Sequence, residues 1–126
     1  MKIFSFVVVV LFSFVNSSFS QSTAEINEKA YEEYNISNKR MIKAYQKALD
    51  GFEEYDLDGA AKKALVLSQK AFLIYRESEG KLQEKIYRGG SMMPTFKYRL
   101  LRKLTDERSK QLNSYIEINT KYKDPE

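Results

Sequence analysis

Hydrophobic positions after residue 20 recur at helical spacing in three successive segments, and none of these segments alternates with the two-residue period of a strand. Side chains three, four or seven residues apart lie on one face of a helix. In the first segment that face carries Ile26, Ala30, Tyr34, Met41, Tyr45, Leu49 and Phe52. Ser22 or Thr23 is the predicted N-cap. The polar stretch 35–38 predicts a weak point within a continuous helix, with room for a kink.

The second segment predicts a helix from about residue 57 to residue 87, capped by Asp56 or Asp58. Its predicted inward face carries Ala61, Leu65, Ser68, Phe72, Tyr75, Glu79, Leu82 and Ile86. A glycine inside a helix costs about 1 kcal/mol relative to alanine, so Gly80 predicts close packing or a bend.

The third helix follows a double glycine, which is typical of a helix end. Ser91 is its predicted cap, and Pro94 is tolerated in its first turn. Its predicted inward face carries Met93, Phe96, Leu100, Leu101, Leu104, Leu112, Tyr115 and Ile116. Short connections make successive helices antiparallel. The predicted fold is therefore an all-α, elongated antiparallel bundle of three long helices, or four if the first is broken near Asn35–Asn38.

Residues 1–20 differ from the rest of the 126-residue chain. Lys2 precedes an apolar run from Ile3 to Val15, and Ser18 and Ser20 then stand before Gln21. This order is typical of a secretory signal peptide, and the run is short for a membrane span. The sequence predicts a signal peptide over 1–20 and one helical domain over 21–126. The protein would be periplasmic or secreted, without a stable membrane anchor after cleavage.

The composition excludes several kinds of chemistry. The chain has no cysteine and no histidine, which excludes disulfides, zinc sites built on those residues, and catalysis by Ser-His-Asp or Cys-His groups. No cofactor or metal is expected, and the chain is not predicted to be an enzyme. Its basic residues are spread among acids, whereas nucleic-acid binding favours a one-sided patch, so no nucleic acid is expected as a partner. Loss of Lys2 with the leader lowers the net charge from +4 to about +3.

The junction between the second and third helices is the candidate partner contact. Binding surfaces favour exposed tyrosine and arginine, and methionine adapts to varied surfaces. The candidate residues are Tyr87, Arg88, Gly89, Gly90, Ser91 and Met92. The alternative interpretation is a helix stop followed by core anchors. The oligomeric state stays open.

Three stretches in chain order resemble a known family: SQKAFLIYRESEG, YRGGSMMP and LRKLTDERSKQL. They resemble the lysozyme inhibitor LprI-like N-terminal domain family of small exported bacterial proteins. The residues that match its motifs are Gln69, Ala71, Phe72, Tyr75, Arg76, Gly89, Gly90, Ser91, Leu104, Thr105 and Arg108. The upstream stretch 26–30 is similar to the opening of the family. Cysteines usual in the family are replaced here by Lys29, Gly80 and Leu100.

The resemblance implies an all-helical exported domain, in some members an inhibitor of lysozyme. Animal-type lysozymes are basic, as is this chain, so an inhibitor would need a local acidic patch or an inserted loop. The candidate patch is Glu53, Glu54, Asp56 and Asp58. A structural role for the motif residues is favoured over a role in partner contact. One or both of Arg76 and Arg108 would pair with a buried or half-buried acid such as Glu77, Glu79 or Asp106. The alternative function is a structural or accessory envelope protein that binds another partner without inhibiting lysozyme.

Overall fold

A computed structural model describes residues 22–53 and 59–121 of the chain. They form three helices, α1 (Thr23–Glu53), α2 (Ala60–Ile86) and α3 (Met93–Lys121), and this described part contains no strand. The all-α, three-helix prediction is confirmed. The four-helix variant is wrong, because α1 runs unbroken through residues 35–38. None of the helices in these two ranges is long and apolar enough to cross a membrane.

The start of α1 follows its sequence signal. The Ser22 hydroxyl oxygen accepts a hydrogen bond from the Glu25 backbone N–H at 3.2 Å, which satisfies one of the free donors of the first turn. The polar stretch does not break the helix, because its side chains are used between helices. Ser37 is buried, and the Asn38 side chain bonds to Arg76 on α2.

The starts of α2 and α3 differ from the predictions. α2 begins at Ala60, about three residues later than predicted, behind Gly59 with a φ of 72°. The predicted caps, Asp56 and Asp58, lie outside the described residues, so capping by them stays a prediction. α3 begins at Met93, and the Met92 carbonyl accepts the Phe96 N–H at 3.2 Å. The predicted cap, Ser91, therefore lies in the preceding turn. Pro94 is in the first turn, as expected.

Contacts between the helices give their directions. Along α1, the residues Asn27, Glu33 and Asn38 contact positions that lie progressively later in α3. Asn27 and Glu33 do so directly, and Asn38 does so through a bonding partner that it shares with α3. The two helices α1 and α3 therefore run parallel. α2 runs antiparallel to both, because Gly80 packs against Leu101 whereas Ser68 bonds to Arg108. The α1–α3 contact is the most extensive and the α1–α2 contact the least. α2 therefore packs mainly against α3, and a groove lies between α2 and α1.

The apolar core lies toward the end of the bundle where α1 finishes and α2 begins. Its buried members are Met41, Ala44, Ala48, Leu65 and Leu112, and partly buried rings and aliphatic side chains surround them. Phe72 and Tyr115 pack against this cluster from α2 and α3. The three amphipathic helices thus bury a common face, which is the source of most helix stability in proteins.

The predicted inward face of α2 is partly wrong. Tyr75, Leu82 and Ile86 are exposed, whereas the inward face carries Leu65, Gln69, Phe72, Arg76 and Gly80. Polar side chains that bond to other helices occupy two of these positions, so hydrophobicity alone misplaced the face. Gly80 confirms the expected close packing, since a Cβ there would lie 3.3 Å from Leu101 Cδ2.

Candidate functional site

Residues 87–92 form a tight turn between α2 and α3, hereafter the corner. Gly89 has a φ of 81°, a conformation that side chains rarely adopt. The Gly90 N–H donates to the Tyr87 carbonyl at 3.0 Å, and a Cβ on Gly90 would lie 3.2 Å from that same oxygen. Both glycines of the family motif therefore have a geometric reason, and other residues would change the shape of the corner.

The corner is exposed and also anchored. Residues 87–91 are exposed and Met92 is half-buried. The Tyr87 ring packs on Phe96 with 4.6 Å between ring centres. The Asn27 amide donates to the Ser91 carbonyl at 3.0 Å, and the buried Thr95 hydroxyl donates to Asn27 Oδ1 at 2.6 Å. Contacts from two helices thus hold an outward-facing turn in one shape.

The groove between α1 and α2 has α3 as its floor, and its lining residue Glu84 lies three residues before the corner. It has a volume of about 660 Å³. Tyr31 and Tyr34 line it from α1, and Arg76 and Glu84 line it from α2. Its floor is formed by α3 side chains, among them Tyr98. The corner and the groove together make the candidate functional site.

An aromatic cluster lies where the α1 wall of the groove meets its α3 floor. The ring centres of Tyr31 and Tyr98 are 4.9 Å apart in an edge-to-face arrangement, and those of Tyr34 and Tyr98 are 5.7 Å apart and stacked. The Lys97 ammonium lies 5.3 Å from the centre of the Tyr98 ring. Such ring pairs are favourable beyond their buried area, so they fix the wall while leaving Tyr31 exposed to a partner.

Two ion pairs neutralise most of the charge along the groove. Glu84 pairs with Lys97 across α2 and α3, and the hydrogen bond and charge of Lys97 lower the pKa of Glu84. The same hydrogen bond raises the pKa of Lys97 above its ordinary value. Glu77 pairs with Lys81 one turn away at 3.2 Å, and both side chains are highly exposed.

Arg76 joins the three helices at the inner end of the groove. Its Nη1 donates to Asn38 Oδ1 at 2.8 Å and to Thr105 Oγ1 at 3.0 Å. Its guanidinium carbon lies 5.4 Å from the ring centre of Tyr34 and 5.7 Å from that of Phe72. The predicted acidic partner is wrong within residues 22–53 and 59–121, where no carboxylate pairs with Arg76.

Arg108 forms a second polar junction, deeper in the bundle. It is only 5% exposed, and it donates to Gln69 Oε1 at 2.9 Å, Gln111 Oε1 at 3.0 Å and Ser68 Oγ at 3.0 Å. Its guanidinium carbon also lies 5.7 Å from the centre of the Phe72 ring. The predicted acid is wrong here as well, since amide and hydroxyl oxygens and one ring replace it in the described part of the chain.

The sequence-predicted motif residues fall into two groups. Gln69, Phe72, Arg76, Thr105 and Arg108 meet between the helices, and Leu104 is half-buried near them. Tyr75 is exposed on the outside of α2 and joins neither junction. Most of the motif residues therefore lie between the helices, while the corner residues are exposed.

Three residues of these contacts were missed by the sequence analysis: Asn27, Asn38 and Thr95. A signal existed for each. Asn27 and Asn38 lie at helical spacing from Ala30 and Met41, and Thr95 lies at such spacing from Tyr98. A polar side chain on an otherwise inward face is a candidate for a bond between helices. The candidate acidic patch falls at Glu53, Glu54, Asp56 and Asp58, whose side chains lie outside the described residues.

Comparison with known proteins gives one match. The profile of the family described as lysozyme inhibitor LprI matches residues 16–112, which is about three quarters of the chain and includes the corner and both arginine junctions. Neither a search of curated proteins nor a search of solved structures found a match. The chain belongs to the LprI lysozyme inhibitor family.

Proposed function

We propose that this protein is an exported, non-catalytic binding protein that inhibits lysozyme by direct contact through the corner and the adjoining groove. The observation that carries the proposal is the exposed, anchored corner in a chain of the LprI family. Tyr87 and Arg88 present on it the side-chain types that dominate binding energy at protein interfaces. No bond made or broken in a substrate is required, because occupation of the partner's surface is enough.

The difference between the buried motif residues and the exposed corner residues supports the corner as the binding surface. The donors of Arg108 and the amide of Gln69 are used inside the bundle, so they have little left to offer a partner. The corner, by contrast, exposes consecutive residues and is already held in one conformation by Asn27 and Thr95. A surface fixed before binding loses less conformational entropy when it binds.

The leader supports the export part of this proposal. The apolar run in residues 1–20, behind a single lysine and followed by small residues at the expected cleavage site, is typical of a secretory signal. A partner that acts on cell walls is met outside the cytoplasm. Export and inhibition are therefore parts of one proposal.

Charge makes a specific contribution to how the contact forms. The chain is basic, and animal-type lysozymes are basic too, so long-range attraction does not assist their encounter. The two ion pairs of the groove lower its local charge, so short-range fit decides the affinity there. We expect association with a basic lysozyme to speed up as salt is added, because screening weakens repulsion.

The test is a muramidase assay with the purified exported protein at micromolar concentration against several types of lysozyme. We expect inhibition of at least one type, reduced at least about tenfold by Arg88→Glu. Arg99→Glu is the matched control, because Arg99 is also exposed and lies away from the groove, and it should inhibit like the wild type. Equal loss in both variants would assign the effect to net charge.

The structural role of the motif residues favours the second candidate function, an accessory envelope protein. The match to the family includes residues that the bundle needs for its own packing. A chain can therefore keep the fold of the family without keeping its inhibitory activity. Full muramidase activity of every lysozyme type in the presence of this protein would refute inhibition and leave this second function.

A further inference from the structure

The outer face of α2 carries apolar side chains that are largely exposed to solvent. Leu67 is 66% exposed, Ile74 67% and Leu82 49%, and Tyr75 is exposed beside them. They lie on the side of α2 opposite Leu65, Gln69 and Arg76, which face the bundle. Together with Ala71 and Ser78, which are also exposed, they are called the outer stripe.

The order of residues in the outer stripe is palindromic. From Leu67 the steps along the chain are four, three, one, three and four residues, through Ala71, Ile74, Tyr75 and Ser78, to Leu82. The centre lies between Ile74 and Tyr75. A two-fold contact is self-complementary, so that each residue meets its mirror position on the other copy. A palindrome of large, small, two large, small and large side chains has this property.

We propose that the outer stripe is the contact surface for a second copy of this chain, with the two α2 helices antiparallel across a two-fold axis. Leu67 then meets Leu82 of the second copy, and Ala71 meets its Ser78. The central Ile74 and Tyr75 pack against the same residues of the other copy. Burial of these side chains removes apolar surface that the single chain leaves in water.

The small residues allow a close approach of the two helices. Ala71 has only a methyl group, and the Ser78 hydroxyl already donates to the Ile74 carbonyl of its own helix at 2.9 Å. Burial of Ser78 therefore leaves its donor satisfied. Small side chains at matching levels let helix axes approach, while the leucines at both ends of the stripe fill the space beside them.

The charged flank of the stripe both orients and weakens the contact. Lys70 and Glu77 lie on the same flank, and antiparallel pairing brings Lys70 of each copy within about 3 Å, along the helix axis, of the level of Glu77 in the other. Lys63, Lys81 and Lys85 add positive charge around the stripe. The net repulsion predicts that dimerisation strengthens with added salt, up to a few tenths molar.

The contact leaves the candidate functional site free. The corner begins about thirteen residues beyond the centre of the palindrome, so the two corners lie about 40 Å apart at opposite ends of the dimer. One helix pair places the interface at the small end of the size range, which is typical of weak, transient contacts. Dimer formation is independent of whether lysozyme is the partner.

The first experiment is analytical ultracentrifugation of the exported, purified protein from about 1 to 300 µM, at low and moderate salt. We expect a reversible monomer–dimer equilibrium that Ile74→Lys weakens by roughly 100-fold, because it buries an unpaired charge at the centre. The control is Ile42→Lys on α1, where Ile42 is 54% exposed, and it should dimerise like the wild type. Circular dichroism checks that both variants are folded. A monomer up to 300 µM at both salt concentrations would overturn the proposal.

The second experiment tests the register. Leu67→Glu combined with Leu82→Lys places opposite charges against each other in the antiparallel pair, whereas Leu67→Glu combined with Leu82→Glu places like charges there. We expect dimerisation of the first variant to exceed that of the second at least tenfold. Equal dimerisation of the two variants would overturn the proposed pairing. Binding of the wild type to anionic vesicles, weakened by salt and without self-association, would assign the stripe to a lipid surface instead.

Discussion

The two ends of the bundle are held together in different ways. At the end where α1 finishes, Met41, Ala48 and Leu112 are buried side by side and form an apolar core. At the corner end the helices meet through Asn27 and Thr95, the three tyrosine rings, and the Glu84–Lys97 pair. One end relies on removal of apolar surface from water, and the other on directional contacts between particular atoms.

This difference separates stability from shape. Apolar burial is large and non-directional, so the core end supplies most of the free energy of folding. A net hydrogen bond is worth only about 1 kcal/mol, but it fixes where its partners lie. The corner end therefore contributes less to the free energy of folding, but it fixes the positions of its side chains more narrowly. This suits a region that has to present one surface to a partner.

The largest expected effect is at the core end. Leu112→Ala, at a residue that is 0% exposed, should lower the free energy of unfolding by about 3 kcal/mol, because it removes buried methyl groups and leaves a cavity. Chemical denaturation followed by circular dichroism measures it. Ile118→Ala, at a half-exposed position of the same helix, is the control and should cost less than about 1 kcal/mol. Similar costs for both would mean that the core is not tightly packed.

An intermediate effect is expected at the corner end. Thr95→Val keeps the shape of the buried side chain and removes the hydroxyl that donates to Asn27, so it should cost about 1 kcal/mol. In a double-mutant cycle with Asn27→Ala, the two changes should be less than additive by a similar amount. Full additivity would show that the bond does not hold the corner.

The smallest effect concerns pH. The pKa of Glu84 is lowered from 4.5, so its contribution to stability is complete above that pH and is lost as the pH falls through the lowered value. The pKa of Lys97 is raised from 10.5, so its share is complete below 10.5 and is lost as the pH rises through the raised value. The pair therefore stabilises the fold between these two limits.

Glu84→Gln should remove the acid limb of that dependence, and the loss should be small because the pair is partly exposed to solvent. The measurement is the unfolding free energy of the wild type and the variant from pH 3 to pH 7. A difference that stays constant across this range would contradict a contribution from ionised Glu84.

The sequence pattern predicted where the helices lie in the chain more reliably than which of their faces are buried. The α1 face from Ile26 to Phe52 and the cap at Ser22 follow from spacing and from capping chemistry alone. On α2 the same reasoning turned Tyr75, Leu82 and Ile86 inward, although they are exposed. That reasoning assigned the buried face from hydrophobic residues alone, whereas α2 places the polar side chains of Gln69 and Arg76 toward the other helices.

The arginine junctions show the same limit. Sequence reasoning predicted that one or both arginines pair with a carboxylate, because breaking a buried pair is costly. In the bundle several neutral oxygens and a shared aromatic ring provide it for Arg108 and Arg76. Which of many polar side chains stands opposite an arginine depends on helix register, which no local pattern contains.

The sequence by itself determined that the described part of the chain forms three long helices, because helical periodicity, caps and glycines act over a few neighbouring residues. The tertiary structure decided that α1 lies along α3 and that the outer stripe of α2 faces water. It also decided that the corner is anchored by Asn27. These features depend on contacts between residues about thirty to seventy positions apart, such as Arg76 with Asn38 and Asn27 with Thr95, and only the packed bundle brings them together.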